Sequence, residues 1–241
     1  NADQVDASGN ARHGVLAIEG STLNFTGGTA NNTGGQAVIA TRNCLINAEQ
    51  VEVSGPGDDG IVANEASMVN CPGATVSDAD NDAIVALRGS SVNAENATTP
   101  NPSRHGALAI EGSLLNVRNI EVSDAGQQGV IGTRACLVNM EDGLIEDCGQ
   151  GEGEDGVTAN DMAFINAARA EVTGSGQDGF GALRGSTINA RDATANQNDR
   201  KGVLAFQASV VNFNGGTANN NGQRGVEATR ASQINSQDST V

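Results

Sequence analysis

The sequence predicts an all-β chain folded as a parallel β-solenoid, with about ten rungs of 23 residues and three short strands in each rung. Three observations carry this reading. Asn recurs at positions 1, 24, 47, 70, 93, 116 and 139 in steps of 23. After one step of 27 it continues at 166, 189, 212 and 235, the four extra residues lying within "CGQGEGEDG". Apolar residues around each Asn alternate with a period of two, which is the periodicity of a strand. Gly, Asp, Asn and Ser gather between the alternating stretches, where a coil must turn. Helical repeats would need a 3.6-residue apolar period, and propeller blades need about 40 residues or more.

Along one rung the elements follow in order. Ten residues before the ladder Asn stands Gly in eight of ten rungs, which predicts a forced corner. Nine before it comes mostly Val or Ile, and seven before it Ala, with Gly132 as the one exception. Three before it lies a small residue (Ser21, Cys44, Ser67 and their equivalents), and one before it an aliphatic residue every time. The Asn column itself, Asn24, Asn47, Asn70, Asn93, Asn116, Asn139, Asn166, Asn189, Asn212 and Asn235, is expected to hydrogen-bond from rung to rung. It is also expected to take the left-handed conformation at a bend. A third strand follows, as in "VEVSG", "IEVSD" and "AEVTG", with Val53, Val122 and Val172 six residues past their Asn. Stacking at the parallel-strand spacing of about 4.8 Å gives a rod on the order of 48 Å long.

Five residues before each Asn a charge changes sign at every step: Glu19, Arg42, Glu65, Arg88, Glu111, Arg134, Asp161, Arg184, the neutral Gln207, and Arg230. Like charges stacked in neighbouring parallel strands repel and alternating ones attract, so the column reads as a salt-bridge ladder that fixes rung register. The functional alternative places Glu65 and Glu111, two rungs and roughly 9.6 Å apart, on either side of a sugar. Arg88 between them would hold both ionised and spoil a general acid.

A longer period is superposed on the first. Rungs one, five and nine share "RHGVLAIEG", "RHGALAIEG" and "RKGVLAFQA", and the other rungs match in the same phase, so the module is four rungs. The modules run roughly over residues 11–102, 103–198 and 199–241 of a single 1–241 domain. His13, His105 and Lys201 occupy equivalent slots, read as corner cations too far apart to share a metal. The acidic turns "GPGDDG" and "GEGEDG" offer Asp58, Asp59, Glu154 and Asp155 as calcium candidates, although the nine-residue repeat of calcium-binding β-rolls is missing and the preferred reading is no cofactor. The four-residue insertion beside Glu152, Glu154 and Asp155 is the one departure from the template, and departures are where sites tend to be built. Cys44 and Cys136 fill the small inward slot four rungs apart and cannot bond to each other; with Cys71 and Cys148 they are expected to be free thiols of a chain folded in a reducing compartment.

The chain carries 13 basic and 29 acidic residues, a net charge of −16, with no Trp or Tyr. That balance argues against nucleic acid or an anionic membrane surface as partner. No apolar run reaches the length of a membrane-spanning helix. No nucleophile elbow, HExxH, P-loop, CxxC pair or Rossmann glycine motif is present.

The phrases "GSTLNF", "LRGSSVNAE", "LRGSTINARDATA" and "GVLAFQASVVNF", repeated at 23 residues, resemble the right-handed β-helix shafts of bacteriophage tailspike and tail-fibre proteins, in the pectate-lyase-like superfold. The resemblance implies host-surface polysaccharide recognition at a virion tail, a homotrimer in the full-length protein, and folding in the host cytoplasm. A polysaccharide depolymerase is the alternative, with Glu65, Glu111, Asp155 and Asp161 as candidate acids; a non-phage extracellular adhesin is the third. Against catalysis stand the single short insertion and the absence of Tyr and Trp faces for sugars. The chain opens on a ladder Asn, Asn1, and stops in a third strand at Val241, which is the expectation for a segment of a longer protein.

Overall fold

The computed structural model describes residues 2–151 and 153–241, and it is a right-handed parallel β-solenoid of about ten turns. Asn1 and Glu152, named above, lie outside the described residues. Each rung, numbered here by its ladder Asn from Asn24 to Asn235, contributes one strand to each of two sheets, and rungs two to eight contribute a strand to a third. The long-strand sheet runs from Val15–Ile18 through Val38–Thr41 and Ile61–Asn64 to Arg224–Thr229. The asparagine sheet runs through Leu45–Asn47, Met68–Asn70 and Ser91–Asn93 to Gln233–Asn235. The third sheet spans Glu52–Ser54 to Thr194–Asn196 and continues towards the C-terminal end as isolated bridges at Thr217 and Thr240. Pairing is parallel and in register, Asn on Asn and Ala on Ala, and the 27-residue step keeps that register, Asn139 pairing with Asn166.

Alternation decides which side chains enter the coil. In Leu45–Asn47 the middle Ile46 is buried and its neighbours face outward; Val53, Val122 and Val172 are buried in the third sheet. The interior is narrow, and large residues are matched to small ones within a rung. Phe25 sits over Gly28 and Phe213 over Gly216, where a Cβ would come within 2.7 Å of either ring, whereas Ala48 is matched by Val51. Inward serines make a hydroxyl ladder: the amide of Cys44 donates to Ser67 Oγ at 3.1 Å, and that of Ser67 to Ser90 Oγ at 3.1 Å. Cys44, Cys71, Cys136 and Cys148 are free and buried, and burial pushes the Cys71 and Cys148 thiols up to about 12.

Two corner assignments need correction. The ladder Asn residues close their strands with ordinary backbone angles. The left-handed residues lie elsewhere, in four columns: five before the Asn (Glu19, φ 55°; Arg42, φ 60°), four before it (Asn43, φ 58°; Ala66, φ 57°), three after it (Gln50, φ 55°; Asp142, φ 60°) and eight after it (Asp78, φ 54°; Asp124, φ 55°). The Gly residues ten before the Asn keep negative φ. They are needed because neighbouring chain presses on them: a Cβ on Gly106 would lie 2.3 Å from Val122 Cγ1 and 2.8 Å from the Gly129 carbonyl.

The outward amides bond from rung to rung, Asn47 Nδ2 donating to Asn24 Oδ1 at 2.8 Å and Asn139 Nδ2 to Asn116 Oδ1 at 2.9 Å, with further links up to Asn212. On the neighbouring corner Arg42 bridges Glu19 (3.2 Å) and Glu65 (3.6 Å), Arg88 bridges Glu65 (3.6 Å) and Glu111 (3.9 Å), and Arg134 meets Glu111 at 2.8 Å. These residues are exposed or half-exposed, so each pair contributes a few tenths of a kcal/mol to about 1 kcal/mol. Arg88→Glu replaces two attractions by two repulsions and should lower stability by about 1–2 kcal/mol, with the loss shrinking in high salt. Thermal unfolding followed by circular dichroism at low and high salt measures this; an unchanged melting curve at low salt contradicts the ladder's contribution.

Candidate functional site

The outer face of the long-strand sheet is a shallow trough with the charge ladder along one wall. Along the other wall runs a column eleven residues before each Asn: His13, Gln36, Asp59, Asp82, His105, Gln128, Asp155, Asp178, Lys201 and Arg224. Four of its carboxylates cap the rung above. Asp59 Oδ1 accepts from the amide of Asp82 (3.2 Å), Asp82 from His105 (3.1 Å), Asp155 from Asp178 (3.1 Å) and Asp178 from Lys201 (3.0 Å). His105 is therefore not a corner cation. It is 5% exposed, and burial, with Arg104 beside it, brings its pKa down to about 4. Lys201, its counterpart four rungs on, is a buried cation 3.7 Å from Asp178 and 4.0 Å from Glu227.

The two halves of the trough differ in their floor. Over the first half it is aliphatic, with Val62, Val85 and Leu108 packed together. Over the second half the same positions hold Thr158, Gly181, Leu204 and Glu227. The missing side chain at Gly181 opens a niche that Asp155 fills: a Cβ on Gly181 would stand 2.2 Å from Asp155 Oδ2. Thr158 Oγ1 donates to that same oxygen at 3.2 Å. Burial, with Asp178 adjacent, pushes the Asp155 carboxyl up to about 7, a value suited to proton transfer near neutrality. Asp59, the same slot in the first module, rises to about 6 from burial and from Asp82, but its floor is closed by Val62 and Val85.

Beyond this niche lies a groove of about 570 Å³ lined by Leu183, Leu204 and Phe206, four cations (Arg184, Arg200, Lys201, Arg230) and Glu227. It coincides with the break in the charge ladder. Arg184 meets Asp161 at 3.6 Å on one side, but on the next rung stands neutral Gln207, and Arg230 lies over the Phe206 ring at 4.6 Å. Two arginines thus flank a slot where the alternation would place a carboxylate.

The sequence candidates scatter across this geometry. Glu65, Glu111 and Asp161 are members of the ion-paired ladder, whereas Asp155 stands apart in the niche. Asp58 accepts from Gln36 Nε2, Asp59 from Asn81 Nδ2 at 2.7 Å, and Glu154 from Gln128 Nε2 at 2.7 Å, so these carboxylates face hydrogen-bond donors. Among the described residues no three His, Cys, Asp or Glu side chains converge as metal ligands. The insertion closes on itself, the amides of Gly153 and Glu154 both donating to the Gly149 carbonyl, and its downstream end delivers Asp155. Arg200, Phe206, Gly181 and Glu227 are not singled out by the sequence, and Lys201 is read there only as a corner cation. The available signals were the Gln207 break, the Lys in "RKGVLAF", and a Gly and a Glu in an otherwise largely aliphatic column.

Since the folded pKa of Asp155 lies above the ordinary value, the stability tied to its protonated form is complete below about 4 and is lost as pH rises through about 7. Asp155→Asn removes that loss, so its melting temperature relative to wild type should rise between pH 4 and pH 8. The His105 contribution runs the opposite way and is common to both proteins, so it cancels. A pH-independent difference in melting temperature would contradict the raised value.

Comparison with known proteins bears on the fold. No curated protein matches the chain in sequence. Solved structures similar to this chain include two from Azotobacter vinelandii: the A-module of the mannuronan C-5 epimerase AlgE6 (15% identity, TM-score 0.60, covering 93% of this chain and 76% of that one) and the A-module of the mannuronan C-5 epimerase AlgE4 (14% identity, TM-score 0.50, covering 99% and 86%). The family model described as "Right handed beta helix region" matches residues 59–241, and the chain belongs to that family.

Proposed function

We propose that this β-helix recognises an anionic polysaccharide, of the uronate type, in the groove of rungs eight to ten. The observation that carries the proposal is the interrupted ladder: Arg184 and Arg230 flank uncharged Gln207 beside the Phe206 ring. A sugar carboxylate seated at Gln207 completes the alternation, with charge-assisted bonds from the guanidinium groups on either side. Phe206 supplies an apolar surface for the sugar ring, and Arg200 with Lys201 continues the positive lining along the trough. In a chain of net charge −16 such a local excess of cations is unusual, and it steers a polyanion to one place. The fold shared with two modules named for action on mannuronan supports the same ligand class. We place this surface in the tailspike or tail-fibre setting that the rung phrases resemble, with a bacterial surface polysaccharide as ligand.

A second reading, polysaccharide depolymerisation, is favoured by one feature. Asp155 is held in the Gly181 niche, on the same outer face as the groove, and would be the proton-transferring group.

Titration calorimetry with polymannuronate, polygalacturonate and neutral dextran tests the binding reading. The polyuronates should bind, dextran should not, and affinity should fall with salt. Gln207→Glu should raise the melting temperature by completing the ladder, and it should weaken polyuronate binding roughly tenfold or more by filling the ligand's slot. Equal affinity for dextran and polyuronate, or unchanged binding by Gln207→Glu, overturns the proposal. Assay of the same mixtures for reducing ends and unsaturated sugars tests the enzymatic reading. Product from wild type and none from Asp155→Asn supports it, and no product from a polymer that binds removes it.

A further inference from the structure

The outer face of the asparagine sheet carries two columns. One is the amide ladder; the other, two residues before each Asn, includes Met68, Leu114, Leu137 and Phe164, each 40–45% exposed. Neither column holds a charged residue in any of the ten rungs, although the chain contains 13 basic and 29 acidic residues. The amides bond along their own ladder, so this flat face can lose water without stranding a charge. Leu114, Leu137 and Phe164 make an exposed apolar stripe over rungs five to seven, with Met68 beyond Ser91 at rung three, and on so acidic a protein such a stripe marks a docking surface.

Both edges of the face alternate in charge, and in opposite phase. One edge is the ladder already described: over rungs four to seven it reads Arg88, Glu111, Arg134, Asp161. The other edge, over the same rungs, reads Glu95, Arg118, Glu141 with Asp142, and Arg169. Within one molecule each edge neutralises itself, Arg118 lying 3.9 Å from both Glu95 and Asp142, and Arg169 2.7 Å from Glu141. Those internal pairs impose no phase relation between the two edges, but a second copy does.

We propose that this face joins two copies of the chain side by side and antiparallel, about a two-fold axis that runs along the strands between rungs five and six. That axis sets each column against its own counterpart. Leu114 of one copy meets Leu137 of the other at the centre, and on either side Phe164 lies over Ser91. Along one edge Glu111 meets Arg134 and Arg88 meets Asp161; along the other Arg118 meets Glu141 and Glu95 meets Arg169. A parallel pair would also match the edges, but it would set the apolar stripe against the amide ladder. An isologous contact of this kind closes at two subunits.

Sedimentation equilibrium should show a reversible dimer, and small-angle scattering should give it the length of a single rod, on the order of 48 Å, with a thicker cross-section. Leu137→Glu puts an unpaired charge at the centre of the contact and should weaken dimerisation roughly tenfold or more. Leu137 is exposed, so circular dichroism and melting of that variant should stay as in wild type. Spin labels on Gln237→Cys, at rung ten, should lie about 43 Å apart along the rod in the antiparallel pair and close together in a parallel one. A monomer up to the solubility limit, an end-to-end dimer, a trimer, or closely spaced labels would each overturn the proposal.

Discussion

Everything in this molecule follows from parallel strands stacked in register about 4.8 Å apart. At that spacing each residue spends its side chain on the equivalent residue of the next rung, so the unit of structure is the column. A column of amides bonds to itself, a column of serines caps the amides of the rung before, and the corner column of alternating charges pairs along its length. The same spacing makes the interior so thin that one ring, Phe25 or Phe213, needs a glycine within its own rung.

The corners show how the cost of stacking is met. A full rung places four residues in the left-handed region, and most are not glycine, at roughly 1–2 kcal/mol each. At the charge-bearing corner these are long side chains such as Arg42 and Glu65, for which the backbone conformation is unfavourable. Rung-to-rung backbone bonds, such as Gly20 to the Arg42 carbonyl at 3.0 Å, outweigh that strain because every rung repeats them. The alternating charges add register to a structure whose backbone bonds would accept any rung-length slip.

A ladder that is complete has nothing to offer a ligand, and function is therefore read at its gaps. The Gln207 slot is a gap in charge and Gly181 is a gap in volume; both lie in the second half of the long-strand sheet, where the aliphatic floor of the first half gives way. The first module is an internal control: Asp59 and Asp155 share a column, a capping role and a raised pKa, and only Asp155 lies against a floor residue without a side chain.

The sequence by itself determined the coil, its rung length, its three strands per rung and the membership of the alternating column, because a 23-residue period can satisfy period-two alternation only by stacking. It did not determine which columns turn. Asn is by preference a corner residue, yet Asn47 ends a strand and Arg42 turns, since in-register pairing rather than residue preference assigns the bends. Nor could it distinguish Asp155 from the ladder acids or His105 from a surface cation. Those distinctions depend on what lies within a few ångströms across rungs 23 or 27 residues apart. Burial and the missing side chain at Gly181 exist only once the rungs are stacked.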